Sequence, residues 1–389
     1  MTGKSHTLFK LGLLIGLILV LASLLLVSGQ SAKNVLAAPM DAQADNPQTM
    51  DNAACLTCHS RPDSTATIGD TTVSITIDPE KFGGSVHGAQ GMACTTCHSN
   101  ITGFPHPAVD ATTYHDYMVS GSQNCQQCHA DQFTELADSI HKSVAEGGNE
   151  QAPVCTDCHN PHTQTLLRDM ATGKAMEEER VSIPLTCAKC HNAIYNEYLD
   201  SVHGEGLLKE GNTDSPTCTD CHGVHSIQTV DSSFRLRSPQ ICAECHTNED
   251  MMKKYGLSTA VMNTYVADFH GTTVTIFEKT APDQETNTPV CVDCHGFHDI
   301  TSTKDPEKGI QVKENLVKTC QKCHPDADES FSESWLSHYI PSPTKAPLVY
   351  YVNLFYKILI PTVIGGMIIY VLTDIVRRQI DKRKGAKNS

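Results

Sequence analysis

All 18 cysteines of the chain fall into nine Cys-x-x-Cys pairs, and a histidine directly follows every pair. The sets are Cys55, Cys58 and His59; Cys94, Cys97 and His98; Cys125, Cys128 and His129; Cys155, Cys158 and His159; Cys187, Cys190 and His191; Cys218, Cys221 and His222; Cys242, Cys245 and His246; Cys291, Cys294 and His295; Cys320, Cys323 and His324. Two thiols at this spacing can form thioethers to the two vinyl groups on one edge of a haem. The adjacent imidazole is then delivered to one axial face of the iron. Zinc knuckles, redox dithiols and short disulfides also use Cys-x-x-Cys. A zinc site built from such pairs takes two of them, however, and nine is odd. Neither zinc nor a disulfide requires His after the second Cys, a place that His, with 20 residues in 389, fills nine times in nine. The pattern predicts nine covalently attached c-type haems and a role in electron transfer.

The motifs alternate between two kinds, which makes the chain an internal repeat. After Cys55, Cys125, Cys187, Cys242 and Cys320, the motif leads into a segment closing on a second histidine: His87, His141, His203, His270 and His338, four of them preceded two residues earlier by Ser or Asp. After Cys94, Cys155, Cys218 and Cys291, a histidine follows closely: His106, His162, His225 and His298. The chain therefore reads as four haem pairs and a ninth, single haem. Of the 11 histidines outside the motifs, His6 lies in the expected N-terminal signal and His115 falls outside the repeat, so nine candidate distal ligands remain for nine irons. An imidazole on both faces closes the iron to small molecules and holds its potential below that of His/Met ligation.

Geometry restricts which histidine serves which iron. A residue three positions after the proximal His cannot round the porphyrin edge, so His162, His225 and His298 must serve another haem. His141 stands twelve residues beyond His129, ~18 Å of helical rise, and should also serve a neighbour. The simplest closed scheme is reciprocal exchange within each pair, with His338 turning back to the ninth haem.

The elements that must hold these groups have little apolar material to work with. About one motif stands in every thirty residues of 53–340, the expected haem domain. The hydrophobic fraction of 39% lies below the ~45–50% usual in soluble domains, with 6% aromatic residues and one Trp, Trp335. The expected fold is mainly α with much irregular loop, wrapped around stacked haems. One small β-hairpin is expected from the alternating residues 72–77, which end at Asp78-Pro79, and it would cover a haem edge. A formal charge of −15 argues against nucleic-acid binding, which relies on clustered Lys and Arg that the haem domain lacks, and a partner docking by charge would have to be basic.

Residues 1–29 read as a signal peptide or N-terminal anchor, with Lys4 and Lys10 preceding the apolar run 11–27, and 30–52 as a flexible linker. The apolar stretch 349–376 is long enough to span a bilayer. The tail 377–389, with Arg377, Arg378, Lys382, Arg383, Lys384 and Lys387, would lie in the cytoplasm by the positive-inside tendency. The haem domain would then face the exoplasmic or periplasmic side of the cell membrane. Among the expected apolar span's residues, Lys357 can snorkel to the interface, and no histidine follows His338, so the span itself cannot ligate a haem.

Nine Cys-x-x-Cys-His motifs interleaved with Ser-Val-His-Gly and Cys-x-x-Cys-His-Gly-x-His segments resemble the low-potential multihaem c-type cytochromes of anaerobic respiration. With its C-terminal anchor the chain looks like the membrane-anchored subunit that partners a quinone-linked cytochrome b. The resemblance implies an electron carrier rather than an enzyme, with an integral membrane cytochrome b or other quinone-reactive subunit on one side and soluble or extracellular redox proteins on the other. The rival reading is a multihaem reductase of nitrite, hydroxylamine or sulfur oxyanions with one open haem, for which the irregular His106 and the spare His115 mark the first pair. A third, an extracellular filament, conflicts with the anchor.

Overall fold

The structure, a computed structural model, describes residues 51–385 apart from 170, 173–175, 336, 337 and 339. The segments expected as export signal and linker, Ser337 and the end of the basic tail lie outside the described residues, save for Asp51 and Asn52. The described chain is mainly helical, with one two-stranded antiparallel sheet and a long apolar helix at the C-terminal end.

Motifs of the first kind sit at the C-terminal ends of helices Asn52–His59, Tyr114–Gln126, Glu177–Ala188, Ser232–His246 and Lys313–Gln321. Several starts are set by local chemistry. The Asp51 and Asp231 carboxylates accept from the first turn, Thr113 and Asp116 form a reciprocal capping box, and Glu177, Glu178 and Glu179 face the positive end of their helix dipole. Each such helix delivers two cysteines and a histidine at its last turn.

Motifs of the second kind are single helical turns, Cys94–Cys97, Cys155–Cys158, Cys218–His222 and Cys291–His295. In the last three the residue before the second Cys is aspartate. The carboxylates of Asp157, Asp220 and Asp293 accept the N–H of the residue preceding the first Cys at 2.7, 2.6 and 2.6 Å. A turn too short to be stable alone is thereby closed on itself. Gly223 and Gly296 then take φ values of +79° and +87°, a region open to glycine, and the chain reverses towards His225 and His298.

The Ser/Asp-x-His segments are helix starts. The side chains of Ser139, Ser201 and Asp268 cap the helices Ile140–Glu146, Val202–Gly204 and Phe269–Thr280, and place His141, His203 and His270 at the second position of each. Ser85 makes the same bond, accepting the Gly88 N–H at 3.0 Å, and is fully buried with Ser201. The glycine after the histidine has a packing reason. A Cβ on Gly88, Gly204 or Gly271 would come within 1.8, 1.9 or 2.1 Å of the carbonyl oxygen of Phe82, Tyr198 or Tyr265, closer than any side-chain atom can sit.

Equivalent bonds join successive units. The N–H groups of Val86, Ile140 and Val202 donate to the carbonyls of Gln164, Ile227 and Ile300, all at 2.8 Å. Arg180 pairs with Asp220 at 2.9 Å and Arg235 with Asp293 at 2.6 Å. The hydroxyls of Tyr198 and Tyr265 donate to the carbonyls of Pro216 and Pro289. The unit holding the fifth and sixth motifs is thus built like the unit holding the seventh and eighth.

The hairpin pairs strand β1 (Thr65–Ile68) with β2 (Thr71–Ser74), Thr65 opposite Ser74. The strand therefore ends at Ser74, short of the expected 77, and Ile75 adds one further bond, its N–H donating to the Ser64 carbonyl at 2.9 Å. Residues 75–77 then run along the first motif: Ile77 donates to the His59 carbonyl and the Ile75 carbonyl lies 3.1 Å from His59 Nδ1. The hydrophobic core is small, with Leu236, Val274 and Val290 its one buried cluster among the described residues.

The C-terminal helix Pro347–Gly385 contains a segment, Pro347–Lys382, long and apolar enough to cross a membrane, with mean hydropathy 2.0 and its side chains exposed. At ~1.5 Å per residue it exceeds the ~30 Å hydrocarbon thickness, so its C-terminal turns would extend past the apolar layer. There Arg378 pairs with Asp374 and Arg377 with Asp381.

Candidate haem-binding site

Each motif histidine faces one histidine from outside the motifs, and the nine pairs use all nine candidates. Ring centres lie 6.1 Å apart for His59 and His106, 6.1 Å for His98 and His162, and 6.2 Å for His129 and His87. They are 6.2 Å apart for His159 and His225, 6.3 Å for His191 and His141, and 6.0 Å for His222 and His298. The last three pairs are His246 with His203 at 6.3 Å, His295 with His338 at 6.3 Å and His324 with His270 at 6.5 Å. An imidazole nitrogen binds a metal at about 2 Å and the ring centre lies about 1 Å behind it, so two rings on one metal have centres roughly 6 Å apart. Among the described residues no group of three or more His, Cys, Asp or Glu is arranged to hold a metal ion. Two imidazoles alone suit a metal already held in its equatorial plane by four other nitrogens, and the residues present fit a haem.

The pairing is a ladder rather than the reciprocal exchange expected from the sequence. In the first kind each second histidine passes forward to the next motif of that kind: His87 to His129, His141 to His191, His203 to His246 and His270 to His324. In the second kind it passes backward, from His162 to His98, from His225 to His159 and from His298 to His222. The ends close with His106 on His59 and His338 on His295. His225 therefore faces His159, not His191, and His338 belongs with the eighth motif, not the ninth. The reciprocal scheme ignored how the units dock. The bonds from Val86, Ile140 and Val202 draw each second histidine away from its own pair. His115 lies in the first turn of Tyr114–Gln126, outside all nine pairs.

Several of these rings are fixed at Nδ1, leaving Nε2 for the gap between them. His59, His87 and His106 meet the carbonyls of Ile75, Pro161 and Pro107 at 3.1, 3.1 and 3.0 Å. His159 meets Gln164 Oε1 at 3.2 Å, His225 meets Glu135 Oε2 at 3.0 Å, and His338 meets Thr264 Oγ1 at 3.3 Å. Burial holds His203 and His295 down to about 4, so both are neutral at physiological pH, as a ligand imidazole must be. A cavity of about 370 Å³ opens beside His295 and His338, walled by Trp335, Leu316, Ile310 and Ile340.

The cysteines join these sites into one line. Within pairs the first thiols stand close enough to perturb each other: Cys55 with Cys94, Cys125 with Cys155, Cys187 with Cys218 and Cys242 with Cys291. Between pairs the second thiols approach the next motif: Cys97 senses Cys128, Cys158 senses Cys187 and Cys190, Cys221 senses Cys242 and Cys245, and Cys294 senses Cys320 and Cys323. Consecutive motifs in the sequence are thus neighbours in space throughout.

Sequence reasoning passed over the Nδ1 partners. Glu135, Glu197 and Thr264 each stand four residues before the capping residues Ser139, Ser201 and Asp268, a register visible in the sequence once the caps are aligned. It takes the fold to show that each reaches a histidine roughly ninety, one hundred or seventy-four residues away.

The chain is weakly similar to multihaem c-type cytochromes. It is 24% identical over 237 residues to the multiheme cytochrome MtrA of Shewanella baltica, covering 54% of this chain and 68% of the relative. It is 24% identical over 153 residues to the cytochrome c-type protein NapC of Escherichia coli, covering 38% of this chain and 68% of the relative. No family model matches.

Proposed function

We propose that the chain is a nonahaem c-type cytochrome that relays electrons along its nine sites between a quinone-linked membrane partner and redox proteins on the exoplasmic or periplasmic side. The observation that carries this reading is the set of nine histidine pairs at 6.0 to 6.5 Å, one beside each cysteine pair. Bound haem supplies a reversible one-electron iron couple. The 18 cysteines tether the macrocycles, the motif histidines are the proximal ligands, and His87, His106, His141, His162, His203, His225, His270, His298 and His338 are the distal ones. Two imidazoles on each iron would keep small substrates from the metal, which supports a carrier over the reductase. The line of adjacent cysteines keeps neighbouring sites close enough for relay without movement of the protein.

In this reading the helix Pro347–Gly385 anchors the chain, its basic end in the cytoplasm. Because His338 serves the eighth motif and stands nine residues before Pro347, the eighth site, not the ninth, is the one tied most directly to the anchor. A lone helix cannot enclose a quinone, so a polytopic subunit must supply electrons or take them. Pro361, Gly365 and Gly366 allow such a partner's helices to approach closely. Affinity purification from detergent-solubilised membranes, with and without residues 349–389, tests this. The intact chain should bring down a polytopic subunit and the truncated chain should not. If the intact chain comes alone, and purified quinol reduces it as fast alone as in membranes, the docking is wrong.

A further inference from the structure

Three histidines that serve motifs of the second kind are held at Nδ1 by residues at one register position, and the chemistry of that position changes along the chain. Glu135 Oε2 accepts from His225 Nδ1 at 3.0 Å. Glu197 Oε2 stands 3.9 Å from His298 Nδ1, a charge contact rather than a hydrogen bond. Thr264 Oγ1 lies 3.3 Å from His338 Nδ1 and donates its own proton to the Ala260 carbonyl at 2.8 Å, so it can only offer His338 a neutral oxygen, while the Asp268 carboxylate, bonded by Trp335 Nε1, reaches His338 through its charge alone. A carboxylate on the far nitrogen draws the ring proton outward and makes the other nitrogen a stronger donor, which favours the more positive oxidation state of a bound metal. A hydroxyl does this far less.

We propose that Glu135, Glu197 and Thr264 are positioning residues that grade the reduction potentials of three haems. The site of Cys155 and Cys158 lies lowest, that of Cys218 and Cys221 next, and that of Cys291 and Cys294 highest. Electrons on these three sites would then run downhill towards the C-terminal half. The proposal rests on the nonahaem reading above. Both glutamates are about half exposed, with side-chain exposures of 54% and 55%, so solvent screens their charge and the shifts should be modest.

The test is a spectroelectrochemical titration of the purified full chain and of Glu135→Gln, Glu197→Gln and Thr264→Glu. Glutamine keeps the acceptor oxygen and removes the charge. Glu135→Gln should raise the midpoint of one haem, Glu197→Gln should raise one by less, and Thr264→Glu should lower one, with haem content and low-spin spectra as in wild type. Unchanged midpoints in both Glu135→Gln and Thr264→Glu, with haem retained, overturn the proposal. Should Glu135→Gln lose haem, the gain of charge in Thr264→Glu decides alone. A wild-type chain without nine low-spin haems would instead defeat the underlying reading, which the first scan reports separately.

Discussion

Replacing His225 with alanine should convert one haem of nine from low-spin to high-spin, and that haem should be the one tethered by Cys155 and Cys158. The ring of His225 lies 6.2 Å from His159 and is pinned by Glu135. Alanine would remove the ring that faces His159 and leave a gap that water or an added ligand can fill. Assignment follows from a double-mutant comparison. His159→Ala with His225→Ala should disturb a single haem, because both act on the same iron. His191→Ala with His225→Ala should disturb two. The opposite pattern would restore reciprocal exchange within pairs. Measured by electron paramagnetic resonance of the oxidised protein, the effect is a whole haem in nine, not a shift in intensity.

A chain produced without covalent haem should not fold. The one buried apolar cluster among the described residues is Leu236, Val274 and Val290, far too little to offset the conformational entropy lost on ordering the chain. Many of the helices are single turns, below the length at which a helix is stable by itself. Expression in cells lacking the haem-attachment machinery should yield protein that is degraded or, if recovered, shows little helical circular dichroism outside the C-terminal helix and no cooperative thermal transition. A cooperative transition in haem-free protein would mean that the polypeptide carries its own core.

The cofactor chemistry was legible in the sequence because it is local. Thioether attachment and proximal ligation need residues within a five-residue window, and nothing elsewhere in the chain alters that spacing. The candidate distal histidines were legible as a set because the repeat placed them, Ser139-Ile140-His141 and Gly223-Val224-His225 alike. Their partners were not. Which ring meets which is decided by contacts such as Ile140 N–H to the Ile227 carbonyl, eighty-seven residues apart, and no local pattern encodes that docking. Counting led to exchange within pairs, whereas the docking of units enforces a ladder that ties each pair to the next. Strand limits failed for a related reason: 75–77 alternate like a strand, but after the Ile75 N–H meets the Ser64 carbonyl, the Ile75 carbonyl and the Ile77 N–H turn to His59. The Nδ1 anchors were hidden because an exposed Glu on a helix normally means only solvation.

The central claim is nine covalent haems, each held by two histidines, and quantitative electron paramagnetic resonance of the fully oxidised chain, scaled to its pyridine haemochrome content, tests it most directly. Nine haems per chain should survive acid-acetone extraction, with all the iron in six-coordinate low-spin signals that nitrite and hydroxylamine leave unchanged. Seven or fewer haems on fully matured protein, or a stoichiometric high-spin signal that moves when nitrite or hydroxylamine is added, would contradict it.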